Sequence, residues 1–279
     1  MAFGRRPKIE IKTPEQLERM RVAGLVVART LARLAEAVAP GVTTAELDRI
    51  SATSIRDEGA TPSFLGYHGF PATICTSVNE EVVHGIPGPR VLRDGDLISI
   101  DCGAIVDGWH GDAAISVPVG EIADDVVRLS ALTEASLWAG ISAVRIGGHI
   151  SDVGHAVESH VRSFGGPAYG ILEEYVGHGI GTAMHLAPDV PNYGLAGHGP
   201  VMEAGLAIAI EPMVTLGKRH VHTLDDDWTV VTNDGRYAAH WEHTVAVTSS
   251  GPWVLTALDG GTSRLASPSS SVVSPDSIA

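Results

Sequence analysis

Cysteine and positive charge are both scarce in this chain of 279 residues. Its two cysteines, Cys75 and Cys102, are too few for a disulfide framework, so we expect reduced thiols in a reducing compartment. Lys and Arg total 19 against 33 Asp and Glu, which gives a formal net charge of −14. This acidic balance argues against a nucleic-acid-binding surface.

Long apolar runs are missing as well. No stretch approaches the roughly 18 apolar residues of a membrane span. The opening MAFGRRPKIEIK carries basic residues without an apolar stretch behind them, so a signal peptide is not expected. These absences predict a cytoplasmic protein with no membrane contact, and the length allows one large domain.

Capping boxes and hydrophobic periodicity predict the main elements. Thr13-Pro14-Glu15-Gln16 opens an amphipathic helix that extends to about Val38, and Thr43 to Glu46 opens the next helix. Residues 95–120 alternate around a glycine-containing bend, which is typical of a β-hairpin. Two further helices and two strand-like segments are predicted over residues 121–144, 151–164, 206–217 and 238–248.

Composition divides the chain into three parts. Residues 1–12 are predicted to form an N-terminal arm, and residues 13–259 a single catalytic domain. Residues 260–279 are rich in Ser and Pro and hold too little apolar surface to become ordered. We therefore predict a disordered and dispensable tail.

A weak internal repeat indicates two related halves. GVTTAELD (41–48) and GGHISDVG (147–154) place similar residues at two helix starts, 106 positions apart. Asp101 and Glu211 are 110 apart, whereas Asp112 and Glu242 are 130 apart, which requires an insertion in the second half. The repeat predicts two α+β halves facing each other across a pseudo-twofold axis, with a site between them.

Four acids stand in apolar, strand-like surroundings: Asp101, Asp112, Glu211 and Glu242. A buried carboxylate is costly unless it is paired or bound to metal, although any one of these acids would equally suit an edge strand facing water. Four acids together with His178, which glycines flank, favour convergence on cations. Their charge calls for two divalent ions of the Co, Mn, Fe(II) or Zn type, an arrangement that activates water for hydrolysis.

Other catalytic motifs are absent from the sequence. It contains no HExxH, G-x-S-x-G, Walker or CxxC motif. GHGIGT (177–182) is not a dinucleotide-binding fingerprint, because Thr182 stands where the third glycine is required.

Seven residues in distinct motifs carry a resemblance to a known family. They are His84 in EEVVHGIPG, Asp101 in SIDCGA, Asp112 in WHGDAA, His178 in YVGHGIG, His185 in AMHLAP, Glu211 in AIEPMV and Glu242 in WEHTVAVT. From about Thr13 to Thr256, the chain closely resembles the type I methionine aminopeptidases. The resemblance implies the α+β pita-bread fold, in which two pseudosymmetric halves combine antiparallel sheet with flanking helices. It also implies removal of the initiator methionine from proteins whose second residue is small.

The resemblance implies a role for each of the seven residues. Asp101 would hold one metal ion, Asp112 and Glu242 would bridge the pair, and His178 and Glu211 would complete the second. Glu211 would also exchange protons with the attacking water. His185 would reach the scissile carbonyl as its oxygen becomes an oxyanion, and His84 would lie over the first peptide bond and assist the leaving amine.

The resemblance also implies a methionine pocket, lined by Phe64, Tyr67, Phe70, Cys75, Met184 and Trp228. Phe70 and Met184 depart from the family's usual tyrosine and phenylalanine, but both keep the wall apolar. An aromatic core patch is the alternative interpretation of FLGYHGFPATIC. Four further histidines near the motifs are expected around the site or at the surface: His68, His110, His240 and His243.

Related functions remain as alternatives. Proline-specific aminopeptidases and prolidases share the ligands but usually carry a large preceding domain, for which a first helix at Thr13 leaves no room. Type II methionine aminopeptidases carry a late helical insertion, which the 25 residues between His185 and Glu211 do not accommodate. A non-catalytic binding module would have lost ligands. The expected partners are nascent polypeptide or peptide N-termini, with transient ribosome contact as a further candidate and a monomer as the expected state.

Overall fold

The computed structural model describes residues 8–266 as five α-helices and 15 β-strands. The helices are α1 (Pro14–Ala37), α2 (Thr44–Asp57), α3 (Asp124–Ser142), α4 (Ile150–Phe164) and α5 (Thr262–Leu265). The strands are β1 (Thr61–Pro62), β2 (Ile74–Val78), β3 (Glu81–Val83), β4 (Leu97–Val106), β5 (Trp109–Pro118), β6 (Gly170–Ile171), β7 (Gly177–Gly179), β8 (Leu186–Val190), β9 (Ala207–Ile210), β10 (Met213–Thr215), β11 (Val221–Thr223), β12 (Val230–Thr232), β13 (Ala238–His240), β14 (His243–Thr248) and β15 (Gly251–Val254). No helix in the described range is long and apolar enough to cross a membrane.

In the first half, α1 and α2 pack on an antiparallel sheet of strand order β1-β4-β2, with β5 also paired to β4. Both predicted capping boxes are present, with the Thr13 and Thr43 hydroxyls accepting from the third backbone N–H of each helix. Ile98, Ile100 and Cys102 alternate along β4 into the core beneath the helices. The intervening residues of β4 therefore face the opposite side, toward the second half.

In the second half, α3 and α4 lie against each other beside a five-stranded antiparallel sheet of order β15-β14-β9-β7-β8. Ile208, Ile210 and Val245 of this sheet share a core with Leu137 and Val153 of the two helices. Two three-stranded sheets, β13-β10-β6 and β11-β12-β3, complete the fold. The second half thus repeats the helix-pair-and-sheet plan of the first.

Main-chain hydrogen bonds confirm the internal repeat. Thr44 N–H donates to Arg90 C=O at 3.0 Å, and Ile150 N–H donates to Pro200 C=O at the same distance. The donors lie 106 residues apart and the acceptors 110, as in the predicted repeat. Each half therefore anchors the start of its second helix to the segment that leads into its sheet.

The two halves meet where β5 passes the start of β14. Ala114 and Glu242 exchange both main-chain hydrogen bonds, at 3.3 and 2.9 Å. Beside them, the Thr244 hydroxyl accepts from Asp112 N–H at 3.0 Å and donates to Asp112 C=O at 2.8 Å. This seam fixes the backbone of two predicted metal ligands, Asp112 and Glu242, against each other.

The seam also corrects one pairing within the repeat. The Ser116 hydroxyl makes the same two bonds to the main chain of His240, at 3.0 and 2.9 Å. Thr244 follows Ser116 by 128 residues, and His240 follows Asp112 by 128 residues. The counterpart of Asp112 is therefore His240, and its predicted equivalence with Glu242 is wrong.

The described ends of the chain pack on the domain. Ile11 bridges Leu206, and the Glu10 carboxylate accepts from the main chain and the hydroxyl of Thr182. The Lys12 ammonium is buried and lies 3.4 Å from Glu10. The arm thus contacts the loop between His178 and His185, whereas residues 1–7 fall outside the described range.

The described fold extends past the predicted start of the tail at Gly260. Val254 N–H donates to Gly260 C=O at 3.1 Å, Leu265 of α5 packs on the second-half core, and Arg264 pairs with Glu134. The prediction of a disordered tail from Gly260 is therefore wrong for residues 260–266, because the turn brings α5 back onto α3. The remaining tail, residues 267–279, lies outside the described residues.

Candidate active site

A cavity of about 450 Å³ opens between the two halves. Its size lies in the usual range for ligand sites. All thirteen residues predicted for metal binding, catalysis and the methionine pocket line it, together with His68. The fold therefore brings together side chains that lie between positions 64 and 242 of the sequence.

The β4–β5 hairpin supplies two of the acids. Asp101 pairs with Ala114 and Gly103 with Asp112, so the two aspartates are diagonal neighbours on one face of the sheet. That face lies opposite the apolar residues of β4 that enter the first-half core. The alternation of the hairpin thus turns both carboxylates toward the second half.

The other two acids lie at breaks between strands. Glu211 follows β9 and precedes Pro212, and Glu242 lies between β13 and β14. The sequence predicts one continuous strand at each place, but the structure has two short strands on either side of each acid. Leaving the regular ladder lets these carboxylates enter the cavity from the ends of the strands.

His178 is flanked by glycines in β7, an inner strand of the five-stranded sheet. A Cβ at Gly177 would overlap the Ala209 carbonyl, and one at Gly179 would overlap the Ala187 carbonyl. His178 Nδ1 lies 3.0 Å from the Gly179 carbonyl oxygen, so the proton lies on Nδ1. The free lone pair of Nε2 then suits a metal, and Nε2 lies 3.5 Å from Glu211 Oε1.

Burial and mutual repulsion oppose charge on the four acids. Burial raises the pKa of Asp101 to about 7. The pKa values of the other three acids lie well above the ordinary range, first because of burial and then because neighbouring carboxylates repel. Burial and the neighbouring His185 lower the pKa of His178 to about 3, which keeps its imidazole neutral. A bound cation would offset this cost by stabilising the charged form of the carboxylates, and the neutral imidazole of His178 has a lone pair to offer it.

The donor set fits divalent metal. Within residues 8–266, Asp101 Oδ1, Asp112 Oδ1 and Glu242 Oε1 are buried oxygens without a hydrogen-bond partner. One donor atom from each of Asp112, His178 and Glu242 lies within 4.8 Å of the others. Buried carboxylate oxygens and one imidazole are donors that Mn, Fe(II), Co and Zn all accept.

His84 and His185 both line the cavity that holds the donor cluster. His84 adopts a left-handed backbone with φ 61°, which is unfavourable for a non-glycine residue and is held by the adjoining strand β3. Burial and His185 lower its pKa to about 4. The ring of His185 meets that of His178 edge-on, with centroids 4.2 Å apart. Both imidazoles border the cavity without competing for the acids.

The predicted methionine pocket is a single apolar cluster. It contains Phe64, Tyr67, Phe70, Cys75, Met184 and Trp228. Phe70 and Trp228 meet edge-to-face with centroids 5.0 Å apart. Cys75 pairs with Asp101 across β2 and β4, so the apolar wall adjoins the acids directly. Phe70 and Met184, which replace the family's usual tyrosine and phenylalanine, have buried side chains in this wall.

The nearby histidines differ in their relation to the site. His240 Nε2 is buried, lies 3.7 Å from Glu211 Oε2, and has no hydrogen-bond partner in the described structure. His68 lines the cavity, whereas His110 bonds Ser63 at 3.0 Å and His243 bonds Thr256 at 2.8 Å. Sequence reasoning misses the contact between His240 and Glu211, because it depends on how the two halves pack. The hydrogen bonds between Ser116 and the main chain of His240 fix that packing.

Comparison with known proteins identifies the family. The model of metallopeptidase family M24 matches residues 18–249, which is most of the chain. The chain belongs to metallopeptidase family M24. The carboxylate and imidazole cluster is therefore the candidate centre of a metallopeptidase, in agreement with its donor atoms.

Relatives of this metallopeptidase share one description. Methionine aminopeptidase 1 of Mycobacterium tuberculosis (strain CDC 1551 / Oshkosh) is 54% identical over 245 residues, covering 86% of this chain and 92% of that protein. Methionine aminopeptidase 1 of Bacillus subtilis (strain 168) is 49% identical, covering 88% and 98%. The methionine aminopeptidase structure from Rickettsia prowazekii superposes with a TM-score of 0.87 at 37% identity, covering 89% of this chain and all of that one.

A more distant neighbour shows the fold alone. The prolidase from Pyrococcus furiosus has a TM-score of 0.71 at 20% identity, and the match covers 88% of this chain and 65% of the prolidase. Together with the nearer structures, it confirms the predicted pita-bread fold.

Proposed function

We propose that this metallopeptidase removes the N-terminal methionine from peptides and nascent proteins whose second residue is small. One observation carries the proposal: the apolar pocket and the acid cluster share a wall, because Cys75 pairs with Asp101 on adjacent strands. A methionine side chain in the pocket therefore brings its own peptide bond to the acids. The methionine aminopeptidases of the three organisms named above resemble this chain over most of its length, which supports the same substrate class.

Five residues would hold two divalent ions: Asp101, Asp112, His178, Glu211 and Glu242. The four carboxylates would balance the charge of two such ions, and the seam holds Asp112 and Glu242 beside each other. When bound, the ions polarise the scissile carbonyl and lower the pKa of water. Metal analysis of the purified protein identifies which of Co, Mn, Fe(II) or Zn it binds.

The chain's own residues position the substrate and move its protons. The Glu211 carboxylate, with His178 near Oε1 and His240 near Oε2, accepts the proton of the attacking water. His185 donates to the scissile carbonyl oxygen as negative charge develops there. His84, neutral because burial lowers its pKa, lies over the next peptide bond and assists the leaving amine.

Peptide selectivity tests the proposal. Methionine release is measured from peptides beginning Met-Ala, Met-Gly, Met-Ser, Met-Lys and Met-Leu, with a Xaa-Pro peptide alongside and with or without Mn or Co. We expect release from the first three and almost none from the others, because steric exclusion discriminates strongly against a long second side chain. Comparable kcat/KM for Met-Ala and Met-Leu would contradict the assignment, and preferential Xaa-Pro cleavage would indicate a proline-specific enzyme.

Glu242→Ala provides the loss-of-function control. The variant removes one carboxylate at the seam, so turnover should be nearly abolished and bound metal reduced. Full activity in exhaustively chelated wild-type protein would refute the metal-dependent mechanism. The cytoplasmic location, the ribosome contact and the monomeric state stay predictions.

A further inference from the structure

A hydrogen bond links the methionine pocket to His185. The Tyr67 hydroxyl lies 2.8 Å from His185 Nδ1, although 118 residues separate the two in sequence. Tyr67 opens a short turn in which its N–H donates to Phe64 C=O at 2.8 Å and its C=O accepts from Phe70 N–H at 2.9 Å. Hydrogen bonds of both its N–H and its C=O therefore fix the main chain of Tyr67, and with it the position from which the hydroxyl reaches His185.

The bond has a chemical consequence because a neutral imidazole carries one N–H. A hydroxyl can donate to Nδ1 only where that nitrogen has a free lone pair, which the doubly protonated ring lacks. If the tyrosine hydroxyl donates to Nδ1, the single imidazole proton must lie on Nε2. If Nδ1 carries the proton instead, Nε2 becomes an acceptor and has nothing to donate to a carbonyl oxygen.

We propose that Tyr67 is a positioning residue, whose hydroxyl donates to His185 Nδ1 and so holds the imidazole in the Nε2–H tautomer. The proposal rests on the function proposed above, in which His185 donates to the scissile carbonyl oxygen. No bond is made or broken in this step, and the tyrosine keeps its proton throughout. The pocket wall thereby supplies orientation to the catalytic group as well as apolar surface to the methionine.

If Tyr67 only formed part of the pocket wall, its substitution would change the kinetics differently than if it positioned His185. The Tyr67 ring belongs to the apolar cluster, and Tyr67→Phe keeps that ring while removing the hydroxyl. A residue that only contacts the methionine side chain would alter KM and leave kcat unchanged. A residue that fixes the His185 tautomer would lower kcat, and it would do so only while His185 is present.

The experiment is a double-mutant cycle of Tyr67→Phe and His185→Ala, assayed on a Met-Ala peptide with saturating Mn. In the wild-type background, Tyr67→Phe should lower kcat about tenfold, with KM changed less than about twofold. In the His185→Ala background, the same change should lower kcat by less than about twofold. Phe70→Leu is the matched wall control, expected to raise KM by the same factor in both backgrounds.

Nitrogen NMR of labelled histidine gives a readout that does not depend on turnover. The His185 signals, assigned by their loss in His185→Ala, should show the Nε2–H form in the wild-type protein and a mixture of tautomers in Tyr67→Phe. Equal kcat losses in both backgrounds, or an unchanged tautomer in Tyr67→Phe, would overturn the positioning role. A wild-type protein that releases no methionine would instead refute the proposed function, and the NMR result would still decide the tautomer.

Discussion

At the scale of single residues, the proposed function assigns metal binding to His178 and substrate chemistry to His185, seven positions apart. His178 presents Nε2 beside Glu211, whereas His185 bonds Tyr67 through Nδ1. His178→Ala should therefore lose metal, and His185→Ala should retain metal while kcat falls on the order of 10²–10³-fold, as for loss of an oxyanion donor. Metal analysis beside steady-state kinetics checks both expectations.

The two variants serve as controls for each other. Both remove one imidazole from adjoining positions, so general damage to the cavity would affect them alike. Equal metal loss in His178→Ala and His185→Ala would contradict the division of roles.

Protonation of the acids predicts how the metal-free protein responds to pH. The pKa of Asp101 is raised to about 7, so the folded state holds a proton that the unfolded state has released. Its stabilising contribution is present below the unfolded pKa and is lost as pH rises through about 7. Most of that contribution is gone by pH 7, and the remainder is lost between pH 7 and 8, where unfolded histidines no longer titrate strongly. The Tm of chelated protein should therefore still fall slightly over this interval.

Calorimetry with and without Mn checks this slope. Bound metal favours the charged carboxylates, so the decline in Tm should be smaller in the metal-loaded protein. Asp101→Asn should also reduce the decline in chelated protein. A chelated Tm that rises between pH 7 and 8 would contradict the expected direction of the pH dependence.

The sequence reveals the acids more readily than their neighbours. Asp101 and Glu211 are recognisable because each places a charge inside an apolar strand pattern, which folding rarely tolerates without a partner. The contact of His240 with Glu211 and the bond from Tyr67 to His185 join residues whose nearness depends on strand register and turn geometry. The residues next to these positions in the sequence do not indicate either contact.

At the scale of elements, helix α5 marks the true end of the described fold. Gly260 closes a turn onto Val254, and Arg264 and Leu265 contact the second half. A chain ending at Ala266 should keep the full-length Tm and methionine release rate. A chain ending at Asp259 should melt a few degrees lower, because each kcal/mol lost lowers Tm by roughly 2–4 °C at this size.

Thermal melts of the two truncations against the full chain make the comparison. If both truncations match the full chain, α5 contributes nothing to stability. If both are equally destabilised, residues beyond Ala266 stabilise the fold and the predicted dispensable tail is wrong.

Elements with strong local signals are predicted well, and those that depend on distant partners are not. The helix starts after Thr13 and Thr43 follow from capping boxes that the structure contains. The breaks at Glu211 and Glu242 escape prediction, because apolar residues continue on both sides of each acid. There tertiary contacts across the seam override the local strand pattern.

At the scale of the whole molecule, the candidate metal site joins the two halves. Asp101 and Asp112 come from the first half, and His178, Glu211 and Glu242 from the second. Metal should therefore raise the Tm of one cooperative transition. At a free metal concentration of about 100 times Kd, the free energy of unfolding should rise by about 2.7 kcal/mol. Asp112→Asn and Glu242→Gln should each reduce that shift, although they lie in different halves.

Calorimetry of the metal-loaded and chelated protein tests this coupling. Two separate transitions, of which only one responds to metal, would show that the halves melt independently and that the site does not connect them.

The seam between β5 and β14 shows how far the candidate site follows the symmetry of the fold. It joins equivalent positions of the two halves, as edge-to-edge contact between two copies of one ancestral unit would. Asp101 and Glu211 occupy matching places in the two halves, 110 residues apart. Register instead places His240 opposite Asp112 and Ala114 opposite Glu242, so these two acids have no acidic counterpart in the other half. The candidate metal site is therefore only half symmetric: one pair of its acids obeys the twofold relation of the fold, and the other two acids break it.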